Sequence, residues 1–342
     1  MSDRPTLAVT AGDPAGVGPE IVARALAEAA VRRALRPLVV GDRAVLEEAV
    51  AACGLPLRVR RCRGPDELED DPALLEVLDV GALGAPARHG VVDPVCGRAA
   101  MAAIQRAVAL ARAGSVDALV TAPINKEAIR AAGSPHPGHT EMLAALFEVD
   151  PRRVVTMFTV ERLRIFFLTR HHPLVEAIAM LTPDLVHAGI VRAHELLVEL
   201  GMERPRLAVA AVNPHAGEHG LIGTEDDEIV APGVERARAD GVEVSGPVPA
   251  DSAFWQCRTG AHDAVLALYH DQGHIAAKTV DFFGTVSCTL GLPVVRTAAE
   301  HGTAFDIAGR WVANPAGQVN ALLAAAEMAA IRSPAGRGRS GS

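Results

Sequence analysis

An α/β fold with a largely parallel, doubly wound sheet is what this sequence predicts, on three observations. Short apolar runs alternate with stretches of helical spacing along the chain, the pattern of parallel strands joined by crossover helices. Ala and Val dominate the 49% of residues that are hydrophobic and aromatics make up only 3%, so the core must come from close packing of small elements. Three apolar runs also end abruptly in chemically varied residues, and the carboxyl ends of strands are where open α/β sheets bind ligands.

Thr6 to Thr10 is the first strand, followed by Gly12-Asp13-Pro14-Ala15-Gly16-Val17-Gly18-Pro19-Glu20 and a helix from about Ile21. Pro19 suits that helix's first turn, where its missing N–H would be unpaired anyway. The glycine-rich turn suits an anion or a close backbone approach, or is simply a tight turn. It is not a dinucleotide fingerprint, because the third glycine would fall at Ile21. Leu38 to Val40 is a second strand, Arg43 to Ala52 a helix, Gly64 to Pro72 a polar loop and Leu75 to Val80 a strand. The Arg32-Arg33 and Arg60-Arg61 pairs read as solvated surface.

Helical spacing returns from Gly97 to Ala113, and the strand Asp117 to Thr121 leads into Lys126, just past a strand end, where an ammonium meets either solvent or a substrate phosphate. Ser134 to Glu141 feeds a helix that Thr140 could cap, and such a helix start is an anion site. Strands near Val154 to Phe158 and Arg164 to Thr169 precede a helix from Pro183 to Leu200 and a strand from Leu207 to Val212. Glu225 to Glu228 begins a helix whose positive end suits carboxylates. Asp251 opens a short helix as its cap or as an active-site carboxylate, and Val265 to Tyr269 is a buried strand. Val286 to Leu290 is a strand, His301 to Asp306 opens a helix, and Gln318 to Ile331 closes the fold before a Gly, Ser and Arg-rich tail.

The runs before His171, His215 and His270 each end at a histidine. One such residue reads as a loop or capping group; three neutral imidazoles meeting around an ion with an open position would make a catalytic centre. The alternative is three separate hydrogen-bonding histidines that never converge.

Other classes are disfavoured. A net charge of -8 argues against a nucleic-acid partner. No apolar segment approaches a membrane span and Met1 to Pro5 lacks a signal peptide's apolar core, so a cytoplasmic protein is expected. The 5 cysteines are widely spaced without a C-x-x-C, which suits buried, reduced thiols.

Eight runs together carry a resemblance: GDPAGVGPE (12 to 20), TAPINK (121 to 126), GHTE (138 to 141), NPHAGE (213 to 218), PAD (249 to 251), YHDQG (269 to 273), LGLPVVRT (290 to 297) and HGTAFDIAG (301 to 309). In this order they are similar to the 4-hydroxythreonine-4-phosphate dehydrogenase family of vitamin B6 synthesis, with its relatives that oxidise 4-phosphorylated threonate or erythronate. The resemblance implies an isocitrate and isopropylmalate dehydrogenase-like fold, with the active site in a dimer-interface cleft between two α/β domains. On this reading residues 1–125 and 300–331 form one domain, 126–299 a second carrying the metal ligands and dimer contacts, and 332–342 a disordered tail. It also implies a homodimer, NAD (or NADP) as cofactor, and one divalent ion (Zn, Mg, Mn or Co) held by His171, His215 and His270 and shared between subunits. His139, Thr140, Lys278 and Arg296 are implied as substrate contacts. The family's usual Asn between Lys278 and Arg296 is here Ser287.

The expected reaction is oxidation and decarboxylation of a 4-phosphorylated four-carbon 3-hydroxy acid. Lys278 would serve as acid/base or bind the substrate's anion. Asp251 and Asp271 would orient ligands or relay the proton, and the forked charge of Arg296 suits a carboxylate or phosphate. The same chemistry on an unphosphorylated diol or hydroxy acid, and a metal-dependent hydrolase, are the alternatives.

Overall fold

A computed structural model describes residues 4–69 and 71–332. They form two α/β units, 4–154 with 286–332, and 155–285. In chain order the first unit begins with β1 (Thr6–Thr10), α1 (Gly18–Ala27), α2 (Ala29–Ala34), β2 (Arg36–Gly41), α3 (Arg43–Ala52), β3 (Arg58–Cys62), β4 (Leu74–Asp79), α4 (Pro94–Arg112), β5 (Ala118–Thr121), α5 (Lys126–Ala131) and α6 (His139–Phe147). The second unit contains β6 (Val155–Val160), β7 (Leu163–Phe167), α7 (Leu174–Ala179), α8 (Pro183–Glu199), β8 (Leu207–Ala210), α9 (Ala231–Ala239), β9 (Val244–Val248), α10 (Ala250–Arg258), β10 (Ala264–Ala267) and α11 (His270–Val280). The chain then returns to the first unit with β11 (Val286–Leu290), β12 (Val295–Ala299) and α12 (Ala316–Arg332).

Within the first unit the strand order is β3-β4-β2-β1-β5-β12-β11, parallel except for the β11–β12 hairpin. Its central strands are buried on both faces, as apolar parallel strands must be when helices cover each side. One face carries Ala8, Leu38, Val40 and Leu119 into a core with Ile104 and Ala107 of α4 and Leu143 and Phe147 of α6. Within the second unit the order is β6-β7-β10-β8-β9, with β6 and β7 antiparallel and the rest parallel. Phe158, Ile165, Val265 and Ala277 belong to its core.

Several expectations are corrected. The unit boundaries fall at 154/155 and 285/286 rather than at 125/126 and 299/300. Two packing facts cause the shift: α6 shares its core with α4, and β12 pairs with β5. Lys126, His139, Thr140, Ser287 and Arg296 therefore belong to the first unit. Thr140 is not a cap, because Gly138 holds the N-cap position of α6. Asp251 likewise lies inside the first turn of α10, after Pro249 at the cap.

No helix opens at His301. Instead three backbone groups between 303 and 313 are taken up by α1 and the turn before it: Val17 N–H donates to Thr303 O (3.0 Å), Arg24 to Trp311 O (2.5 Å) and Ala313 N–H to Glu20 (2.8 Å). Arg61 is solvated surface as expected, whereas Arg60, its neighbour on the edge strand β3, is partly buried and pairs with buried Glu76. Arg332, expected in the tail, still belongs to α12, and residues 333–342 lie outside the described residues. All five cysteines are free thiols. Among the described residues no helix is long and apolar enough to cross a membrane.

Candidate active site

The second unit gathers histidines beyond the carboxyl ends of β7 and β10. Thr169 Oγ1 donates to Leu268 O (2.8 Å), tying the two strand ends together. Gln272 adds a second tie, accepting from Leu268 N–H (2.7 Å) and donating to Ala211 O beyond β8 (2.8 Å). On this base the His171 and His270 rings lie 5.8 Å apart between centroids, lining a cavity of about 300 Å³ with Tyr269 and Asp271.

His270 Nδ1 is 2.6 Å from Asp271 Oδ1, and His215 Nδ1 is 2.6 Å from Glu218 Oε1. A carboxylate on Nδ1 fixes the tautomer that leaves Nε2 with a lone pair, the form a metal ligand needs. The Glu218 carboxylate, with a smaller contribution from Asp251, holds His215 above the ordinary imidazole range. In chemistry and tautomer the donor set thus fits a divalent ion. Among the described residues, however, no three His, Cys, Asp or Glu side chains converge as a metal centre within one chain. The structure brings His171 and His270 together and leaves His215 as a separate, exposed donor.

His215 sits in an unusual backbone. His215, Ala216, Gly217, Glu218 and His219 all have positive φ (44° to 78°), a run that non-glycine residues adopt only when their surroundings impose it. Fully buried Asp226 imposes it in part, accepting from Val212 N–H (2.8 Å) and Asn213 N–H (2.9 Å), while Glu225 accepts from the Asn213 amide (2.8 Å). The acidic run expected to serve only as a helix start therefore anchors the His215 loop.

His274 is the residue that sequence reasoning missed. Its ring stacks on His270, with centroids 3.5 Å apart, and contacts Phe158 and Phe167 at 4.3 and 4.9 Å. Burial, then the neighbouring His270 and Lys278, pushes it down to about 4. The signal was present as spacing: His270, His274 and Lys278 recur every fourth residue and so share one stripe of α11. Lys278 Nζ lies 5.6 Å from the Phe282 ring centre.

A second group of predicted residues assembles in the first unit, and strand register explains it. Leu119 of β5 pairs with Arg296 of β12, which pairs in turn with Thr289 of β11. Paired residues share a face, as do residues two apart on one strand, so Thr121, Arg296, Thr289 and Ser287 all lie on the α4/α6 side of the sheet. Arg296 is 7% exposed, and burial pushes its guanidinium down to about 10 against the opposing pull of Glu300. Its Nε and Nη2 donate to Thr121 Oγ1 (2.9 and 2.5 Å), and its Nη1 to Thr289 Oγ1 (3.2 Å).

His139, the first residue of α6, keeps some surface in solvent, but its Nε2 is sealed off without a hydrogen-bond partner. Burial, then the charges of Arg296 and Lys126, holds it well below the ordinary imidazole range, so it is neutral. Thr140 follows it, half-buried, and Lys126 is exposed at the start of α5, which Asn125 caps. A buried cation partnered by hydroxyls thus shares this part of the unit with a neutral imidazole that has an unpartnered nitrogen.

A family model described as pyridoxal phosphate biosynthetic protein PdxA matches residues 33–325. The chain belongs to this family. A D-threonate 4-phosphate dehydrogenase of Cupriavidus necator is 43% identical over 97% of this chain and 100% of its own length. A solved 4-hydroxythreonine-4-phosphate dehydrogenase from Klebsiella pneumoniae is 41% identical, with a TM-score of 0.86 over 95% of this chain and 99% of that one. The structure of that name from Burkholderia phymatum is 42% identical, with a TM-score of 0.84 over 95% and 98%. The α/β fold read from the sequence is thus that of the PdxA family.

Proposed function

We propose that this PdxA-family protein is an NAD-dependent dehydrogenase that oxidises and decarboxylates a 4-phosphorylated four-carbon 3-hydroxy acid with the help of a divalent ion, and that 4-phosphothreonate is its preferred substrate. The observation that carries the reading is Arg296, a buried guanidinium whose hydrogen bonds go to two neutral hydroxyls rather than to a carboxylate. The relatives' names support an oxidoreductase acting on a phosphorylated hydroxy acid.

Bound NAD would supply the hydride acceptor for the alcohol carbon; the chain's groups would take the hydroxyl proton, and the β-keto acid would lose CO2 to leave an enolate to which a proton is returned. A divalent ion held by His171, His215 and His270 would supply Lewis-acid polarisation of the alcohol oxygen. The chain's own groups do the rest. Asp271 and Glu218 orient the imidazoles of His270 and His215 through Nδ1. Lys278, on the same helical stripe as His270, binds the substrate's anion or exchanges the proton, with Asp251 as the nearby carboxylate that acts on His215. Arg296, His139, Thr140 and Lys126 receive an oxyanion.

Ser287 favours a 2-hydroxy over a 2-amino substrate, because an amide's donor and acceptor are replaced by one shorter hydroxyl. The protein acts as a homodimer with NAD or NADP. The test is NADH absorbance at about 340 nm across phosphorylated and free four-carbon acids, with and without chelator. A metal-dependent hydrolase would turn over without NAD, and equal rates on free acids would refute the phosphorylated substrate.

A further inference from the structure

Arg296 is held in a way that decides which of its donors a ligand can reach. A guanidinium carries five N–H groups, one on Nε and two on each terminal nitrogen. Thr121 Oγ1 takes the Nε–H and one N–H of Nη2, and Thr289 Oγ1 takes one N–H of Nη1. One N–H is left on Nη1 and one on Nη2, two donors of the kind that a carboxylate or phosphate accepts from. Among the described residues the acceptors of this guanidinium are threonine hydroxyls, so its orientation is set by neutral groups while Glu300 acts on its charge without accepting a hydrogen bond from it.

The arrangement follows from register. Thr289 stands directly opposite Arg296 in the β11–β12 pair, while Thr121 is two residues beyond Leu119, which Arg296 faces on β5. The three strands thus set the guanidinium plane from both sides.

We infer that Thr121 and Thr289 are positioning residues that lock the plane of Arg296 and leave a two-pronged N–H fork for one oxyanion of the substrate. This rests on the anion-binding reading of Arg296 given above. A side chain that acts by orienting a ground-state contact should alter substrate binding more than the chemical step.

The experiment measures kcat and KM with 4-phosphothreonate and NAD, the calorimetric Kd of 4-phosphothreonate, and thermal melting for Thr121→Val, Thr121→Ser, Thr289→Val and Arg296→Lys. Thr121→Val removes the shared acceptor at nearly constant shape and should raise KM and Kd about tenfold or more with kcat changed by no more than about threefold. Thr121→Ser keeps the hydroxyl and should return both close to parent values. Thr289→Val, losing one bond rather than two, should show a smaller effect in the same direction, and it carries the test if Thr121→Val does not fold. Repeating the series with unphosphorylated threonate assigns the oxyanion: a valine effect lost on threonate points to the phosphate, and one retained points to the carboxylate. Either pattern supports the inference. It is overturned if the valine variants keep parent KM and Kd while Arg296→Lys raises them, or if Thr121→Ser is as impaired as Thr121→Val. Parent binding by Arg296→Lys would remove the anion role itself, and this inference with it.

Discussion

His274 lies flat against His270, ring on ring, with 19° between the two planes. With Phe158 and Phe167 also packed on His274, the stack limits how far His270 can turn. His274→Ala should therefore weaken zinc or cobalt binding about tenfold, as loss of a ligand's supporting contact does, whereas His274→Phe keeps a ring there and should retain most of it. Metal titration of both variants decides, and equal affinity in the alanine variant would detach the stack from ligand orientation.

Replacing His171, His215 or His270 by Ala should abolish tight metal binding and turnover without lowering the melting temperature sharply. Because His171 and His270 are neighbours in one chain and His215 stands apart, subunit sharing has a specific signature. Mixing His215→Ala with His270→Ala chains should restore roughly a quarter of parent activity, since half of the dimers are mixed and each has one complete ligand set. Mixed dimers without activity would show that each chain supplies its own set.

Ser287→Asn should shift substrate preference. We expect kcat/KM on 4-phosphothreonate to fall about tenfold and that on 4-phosphohydroxythreonine to rise, because a site with an amide rewards a partner for it and penalises its absence. Steady-state kinetics on both substrates check this; a parent enzyme that prefers the amino substrate would refute it.

Asp13 gives a pH dependence of stability. Burial pushes its carboxyl up from 3.8 to about 6, with the backbone N–H of Ala15 and Asn125 pulling the other way. The folded value lies above the unfolded one, so the folded chain keeps a proton that the unfolded chain releases between these values. The stability this contributes is complete below the unfolded value and is lost as pH rises through about 6. Asp13→Asn removes the titration. Its stability relative to the parent should improve from pH 4 to 7 by up to about 3 kcal/mol, read from denaturant unfolding at each pH, and a difference that does not vary with pH would be the contrary result.

What the sequence made legible was whatever depends on local period or on a strand's end. The alternation of apolar runs and helical spacing placed most strands, and the three histidines stood out because each follows such a run. Features set by partners distant in the chain were hidden. Thr121 and Arg296 are 175 residues apart, and nothing in either segment says that β5 and β12 are neighbours. The edge strand β3 was masked by its arginines, Arg58, Arg60 and Arg61, whose charges are met by Asp71, Glu76 and Asp79. Residues 301–306 looked able to start a helix, yet the carbonyl of Thr303 is engaged by Val17 near the beginning of the chain instead. His274 was visible only as a spacing, since what distinguishes it is a ring lying on a ring.

The interrupted course of the first unit has a consequence for synthesis. β12 is a neighbour of β5, and α1 donates a hydrogen bond to Trp311 and accepts one from Ala313, so the sheet begun by β1 lacks an inner strand until almost the whole chain has been made. Residues 155–285, by contrast, are continuous and leave the ribosome with every strand of their own order present. Domains fold as units when their parts are available, and pairings distant in sequence are the slow ones. The unit encoded in the middle of the gene is therefore ready to fold first, while the opening residues wait for the last strand.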